Sequence, residues 1–279
     1  MKYTVTEKEI LVTDATEFDP KSTLTCGQVF RFGQTDDFWW VIAGDNYAQI
    51  YQVGEKSYKI CATNPNFFVN YFDFDKDYAK IISELGKESV LIKPIEYGRG
   101  IRLLHQDLVE MIISFIISAC NRIPRIQKSL NLISERFGQK YDWGYAFPKL
   151  EKLKLASVDD FRACGCGYRS DYLVQTITTL ADTDFLANVA VVDTPTAKNM
   201  LKNLAGVGDK VADCILLFAM CRFDVFPVDT WIHKVYRDEF GGTERNRAKI
   251  SRFLVDKFGM LSGYAQQYLF YYKRREENN

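Results

Sequence analysis

Between residues 38 and 63, apolar and polar positions alternate along three short runs, FWWVIAG, YAQIYQV and SYKICAT. The breaks between them, Gly44-Asp45-Asn46 and Val53-Gly54-Glu55-Lys56, are turn-forming. A period of two with such breaks predicts an antiparallel sheet. The period changes near Gly98-Arg99-Gly100. Beyond it, apolar residues recur at helical spacing over 103–120, 125–138, 170–182, 196–204, 209–221, 230–240, 247–259 and 264–275. The expected class is therefore α+β, with an antiparallel sheet domain over 1–100 and an all-helical domain over 101–279. No solenoid repeat or low-complexity tract interrupts this plan, and only the charged tail KRREENN is expected to fray.

Composition narrows the function classes. A chain of 279 residues with 47% hydrophobic content can bury a large core or two smaller ones. Its longest strongly apolar stretch, Met111 to Ala119, is far shorter than the roughly 20 residues needed to span a bilayer, so a buried helix is expected and no membrane partner. The opening MKYTVTEKEI lacks a basic region followed by an apolar core, which predicts a protein that stays inside the cell. Seven scattered cysteines read as reduced thiols rather than a disulfide framework. Two histidines far apart in sequence and the lack of a C-x-x-C pair assemble neither a zinc site nor an iron–sulfur cluster, so no metal and no cofactor are expected. A net charge of zero speaks against a nucleic-acid partner, yet its distribution tempers that. Residues 1–100 hold 11 Lys+Arg against 15 Asp+Glu, and the remainder holds 25 against 21, which assigns any basic face to the second part.

Candidate chemistry gathers in LKNLAGVGDKVADCILLFAM. Gly206 and Gly208 separate two short helical patterns, and a sharp glycine turn leading into a helix start leaves amides free to hold a phosphate. Taken alone, G-V-G between helices is equally an ordinary helix–helix turn. Lys210 then falls in the first turn of the next helix, where the positive end of the dipole opposes its charge and favours the neutral, nucleophilic amine. Most lysines are simply solvated, so Lys210 needs a partner. Asp229, in FPVDTWIHKVY, reads as the N-cap of a following helix. Capping by itself is worth about 1 kcal/mol. A fixed, ionised carboxylate in a dry cleft can also stabilise positive charge on a sugar losing its base.

The segments LAGVGDKVADCI and FPVDTW resemble the helix-hairpin-helix DNA glycosylases, and within them the 8-oxoguanine DNA glycosylase/lyase family. The resemblance extends to LTCGQVFRFG, GIRLLHQDLVEMIISFIISACNRIPRI, CGCGYRSDY and SGYAQQYLF, which together sample most of the chain. It implies an N-terminal sheet domain packed on a helical domain, with a lesion pocket between them, and double-stranded DNA containing an oxidised purine as the partner of a monomeric protein. It also implies that Lys210 attacks the anomeric carbon and forms a Schiff base that decays by β-elimination, with Asp229 assisting. Cys214 and Phe270 then sandwich the extruded base, Gln266 bonds its Watson–Crick edge, and the Gly27 carbonyl accepts the N7 hydrogen that only the oxidised purine carries. Tyr168 fills the duplex, and Arg125 and Arg169 read the estranged cytosine.

Two positions depart from the family pattern. The element N-N-N-I reads Cys120-Asn121-Arg122-Ile123, which places Asn121 at the DNA but replaces the gap-filling asparagine with Cys120. A histidine two places after the aspartate is Trp231, which removes an imidazole contact near the pocket and phosphate. The competing readings are a monofunctional alkylated-base glycosylase, which needs no nucleophilic lysine, and a non-catalytic DNA-binding module, which needs no carboxylate.

Overall fold

The computed structural model describes residues 1–276. Six strands form one sheet: β1 (Lys2–Val5), β2 (Glu9–Thr13), β3 (Phe32–Gln34), β4 (Trp39–Ala43), β5 (Asn46–Gly54) and β6 (Ser57–Ala62). Their order is β1-β2-β6-β5-β4-β3, every pair antiparallel. The alternation read from sequence is what the register uses. Ile10 pairs with Ile60 and Ile60 with Ile50, and all three side chains are buried on one face. The sheet is thus α+β in the expected sense, its inner face turned to a core.

Four short helices, α1 (Pro20–Thr25), α2 (Pro65–Tyr71), α3 (Tyr78–Leu85) and α4 (Ser89–Tyr97), accompany the sheet. The next are α5 (Leu108–Ser118) and α6 (Ile123–Phe137), followed by a hairpin of β7 (Lys140–Tyr141) and β8 (Gly144–Tyr145). Then come α7 (Leu150–Leu153), α8 (Val158–Ala163), α9 (Arg169–Asp182), α10 (Phe185–Val191) and α11 (Thr194–Lys202). The chain closes with α12 (Asp209–Phe218), α13 (Thr230–Phe240), α14 (Arg247–Phe258) and α15 (Ser262–Glu276). Of the tail KRREENN, Lys273 to Glu276 continue α15, against the expected fraying, and Glu277 to Asn279 lie outside the described residues.

Residues 102–107 are irregular, although their apolar pattern predicts the start of a helix. Their amides are claimed elsewhere: Leu103 donates to the Tyr78 hydroxyl (2.8 Å), Leu104 to Gln28 Oε1 (2.9 Å) and His105 to the Tyr71 carbonyl (2.9 Å). Asp107 then caps α5 through the Glu110 amide, which fixes where the helix begins. We propose the division near residue 100 as the domain boundary. The apolar clusters interleave around it, with Tyr78, Leu85 and Leu91 in the helical core and Leu104 in the sheet core. The described residues include no helix long and apolar enough to cross a membrane.

Candidate active site

The connection between α11 and α12 sets the catalytic geometry. Gly206 takes φ +80°, and a Cβ there would also meet the Tyr172 ring at 2.9 Å, so both backbone and space require glycine. Gly208 caps α12 with no side-chain bond, which leaves the first amides of the helix available to an anion. Lys210 is the second residue of α12. Its ammonium lies 5.2 Å from the centre of the Phe115 ring, a face supplied by α5.

Asp229 caps α13 as the sequence predicts, accepting from the Ile232 amide at 2.9 Å. Burial pushes its carboxyl above the ordinary carboxylate range, and the capping bond and the Lys210 charge work against that rise. The carboxylate is therefore held at a desolvation cost, which the neighbouring ammonium partly offsets.

Lys210 and Asp229 line one cavity of about 960 Å³, together with Gly27, Asn121, Trp231 and Phe270. A recess of about 60 Å³ continues from it, lined by Lys210, Asp229, Gly27, Cys214, Gln266 and Phe270. The two catalytic candidates and the four pocket candidates thus converge. Cys214 is buried, its thiol pushed up to about 11 by desolvation, so it stays neutral. Gln266 is also buried rather than on a solvated face, and its Oε1 has no hydrogen-bond partner. A buried acceptor without a donor is costly, and it suits a ligand that brings the donor. Gly27, at φ +91°, packs its Cα against Phe270: a Cβ there would meet the ring at 3.0 Å. That contact narrows the recess.

The remaining candidates sit beside this cavity. Gly206, Gly208, Tyr168 and Arg169 line a neighbouring hollow of about 510 Å³. Tyr168 is 58% exposed, its ring 6.2 Å from that of Tyr172 in an edge contact. Arg169 is buried, with its guanidinium over the Tyr168 ring at 4.3 Å and its Nε donating to the Ala119 carbonyl at 2.9 Å. Its Nη2 reaches the Ala119 and Cys120 carbonyls as well. These bonds commit Arg169 to the backbone of the 119–120 turn. Arg125 is exposed in the first turn of α6, outside both linings.

Cys120 itself takes φ +50°, a left-handed conformation that asparagine tolerates and cysteine resists. Cys120→Asn is therefore expected to stabilise the protein by about 0.5–1 kcal/mol, read as a higher urea midpoint at unchanged slope.

Beneath α12, Asp213 is 2% exposed and pairs with Lys198 of α11 at 2.7 Å. Burial raises its carboxyl to about 6, with Lys198 opposing. Lys198→Met leaves that buried carboxylate alone, and we expect a loss of about 3 kcal/mol in urea unfolding at neutral pH. The loss shrinks as the pH falls toward about 6, because without Lys198 the variant's carboxyl takes up its proton at a higher pH than the wild type's, and it is smallest below that, where both are protonated.

Sequence reasoning missed several lining residues. Phe115 reads as one more core position of an apolar helix. Arg247 starts α14 and Arg274 lies in the charged tail, and both line the large cavity. No three His, Cys, Asp or Glu side chains among the described residues converge to hold a metal ion.

Comparison with known proteins gives this geometry a family. Residues 10–112 match the family described as 8-oxoguanine DNA glycosylase, N-terminal domain. The Clostridium acetobutylicum 8-oxoguanine glycosylase/lyase, solved with double-stranded DNA containing cytosine opposite 8-oxoguanine, superposes with a TM-score of 0.93 at 36% identity, covering 99% of each chain. The chain belongs to the 8-oxoguanine DNA glycosylase/lyase family. Further members of this glycosylase/lyase family align over less of their length. A probable N-glycosylase/DNA lyase of Methanothermobacter thermautotrophicus is 33% identical over 205 residues, 65% of this chain and 66% of that protein. The Arabidopsis thaliana N-glycosylase/DNA lyase OGG1 is 28% identical over 281 residues, 91% of this chain and 77% of that protein.

Proposed function

We propose that this chain is a bifunctional base-excision repair enzyme that extrudes 8-oxoguanine from duplex DNA, releases it, and nicks the strand. The observation that carries the reading is the meeting of Lys210 and Asp229 in one cavity, over a recess in which Gln266 Oε1 is buried without a donor. The recess is too small for a purine while Phe270 lies on Gly27, so the ring must move as the base is admitted. Unstacking the base costs a few kcal/mol, which the pocket contacts offset.

In the proposed sequence, the Lys210 amine attacks C1′ and the C1′–N9 bond breaks with its electron pair leaving on the base, which takes up a proton. Asp229 stabilises the positive charge that develops on the sugar. Ring opening then gives an imine between Lys210 and C1′. Loss of a C2′ proton expels the 3′-phosphate, and water finally frees the lysine. The family likeness, the capped carboxylate and the lysine at the start of α12 support each step. In this reading Gly206 and Gly208 border the backbone of the bound strand, Tyr168 fills the duplex, Asn121, Arg125 and Arg169 lie around the estranged cytosine, and Trp231 lies near the pocket and phosphate. Phosphate contacts from the helix start position the duplex without reading its sequence. The protein acts as a monomer, inside the cell.

The test is a set of duplexes carrying 8-oxoguanine opposite each of the four bases, scored separately for base release and strand cleavage. Release without cleavage would replace the lyase by a monofunctional enzyme; neither would leave a binding module. In the same assay, Cys120→Asn is expected to sharpen the preference for cytosine opposite the lesion.

A further inference from the structure

Besides Gln266 Oε1, a second polar atom at this cavity is buried and unpartnered: Nη1 of Arg274. Arg274 lies on α15 one turn beyond Phe270. Its Nη2 donates to the Thr25 carbonyl in a short bond, and its guanidinium lies over the Phe270 ring, 5.2 Å from the centre. The Thr25 bond anchors the guanidinium whether or not the ring stays in place. Nη1 then points to Gly27, 2.9 Å from where a Cβ on that residue would stand. The donor is therefore held beside the Gly27 backbone, inside the wall of the lesion cavity. Buried guanidinium hydrogens without acceptors are rare in folded proteins, and this one lies in the wall of the cavity, behind Gly27 and Phe270.

We propose that Arg274 is a specificity-determining residue that donates from Nη1 to the oxygen on C8 of the extruded purine. The inference rests on the proposed function, because it takes the Gly27 carbonyl as the acceptor of N7–H. An oxidised purine presents N7–H and C8=O side by side, a donor next to an acceptor. Gly27 and Arg274 offer the complement, an acceptor next to a donor. Guanine presents a bare N7 lone pair to the carbonyl and a C8–H to the guanidinium, so both contacts fail together. Two adjacent mismatches reject guanine more strongly than one, since each leaves a buried group unpaired. The charge on the guanidinium strengthens the contact to a neutral carbonyl oxygen. A phosphate role suits Arg274 less well: Nη1 is buried beside the recess residues Gly27 and Phe270, while the exposed Arg122 and Arg247 stand at the cavity's rim.

The experiment measures affinity for duplexes in which a 2′-fluoro sugar blocks excision. The duplexes carry 8-oxoguanine, 8-thioguanine, guanine or a tetrahydrofuran abasic analogue, and the proteins are wild type, R274M and R274K. Wild type must first prefer 8-oxoguanine over guanine; if it does not, the proposed function falls, independently of Arg274. Given that preference, R274M is expected to lower the ratio of 8-oxoguanine to abasic affinity by about 10- to 100-fold. Equal losses on both duplexes would mean a phosphate or purely structural role and overturn the proposal. Exchange of oxygen for sulfur at C8 should weaken binding in wild type and matter far less in R274M, which is the coupling expected of a direct contact. A sulfur penalty that persists in R274M also overturns it. Should thermal melting find R274M unfolded, R274K carries the measurement. A lysine lacks the fork that holds Thr25 and the base at once, so it too should lose the ratio, and a retained ratio refutes the contact.

Discussion

Lys210→Gln is expected to abolish covalent trapping by borohydride on lesion-containing duplex and to slow base release by at least about 10³-fold. Glutamine has nearly the length of lysine without an amine, so α12 and its glycine turn keep their shape while the nucleophile disappears. Losses of this size follow when a covalent pathway loses its attacking atom and only binding and electrostatics remain. Strand cleavage should fall with base release, because the imine that leads to cleavage forms only after the same lysine has displaced the base. The outcome that would sink the mechanism is undiminished trapping in the variant. Duplex affinity is a useful control, since a lysine that served only the phosphates would show its loss there, with a lowered salt slope.

Asp229→Asn is expected to lower base release by about 10²- to 10³-fold while leaving the fold intact. Asparagine caps a helix as well as aspartate does, so the bond to the Ile232 amide survives the change. Stability should hold or rise, because a carboxylate held against desolvation is replaced by a neutral amide. The pH dependence gives a sharper check. Burial raises the Asp229 carboxyl above its ordinary 3.8, and the reaction needs it ionised. Activity is thus lost as pH falls through this raised value, and the acidic limb of the rate profile lies above the pH at which a free aspartate titrates. That limb should vanish in the asparagine variant. A wild-type limb at the ordinary aspartate position would show that another group controls it.

How far the chain announces this structure depends on how local each cause is. Strands β4 to β6 follow from alternation and turns that sit within a few residues of one another. Helix α2 is hidden because aromatic residues such as Phe67, Phe68 and Tyr71 favour strands in isolation, and the helical signals of α2 and α3 are the caps Asn64 and Asp77. Residues 102–107 look helical because no local pattern reveals that Gln28, Tyr71 and Tyr78 take their amides. Within the site, Lys210 and Asp229 were legible since each occupies a helix start. Arg169 is reached only through the family resemblance and Arg274 not at all, since a guanidinium's partner depends on distant backbone: Ala119 in one case and Thr25 in the other.

The side chain of Gln28 has a wider consequence. It donates to the carbonyls of Thr23 at 3.0 Å and Arg102 at 2.7 Å and accepts from Leu104, while Gln106 reaches back to its main chain at 2.9 Å. This lattice ties the Gly27 loop, part of the cavity wall, to residues 102–106, the segment that leads into α5. With the loop held this way, the deformation needed for extrusion falls chiefly on the double helix, as bending and unstacking, while on the protein side the Phe270 ring gives way. Lesion search should then favour sequence steps that kink easily, even where no side chain touches them.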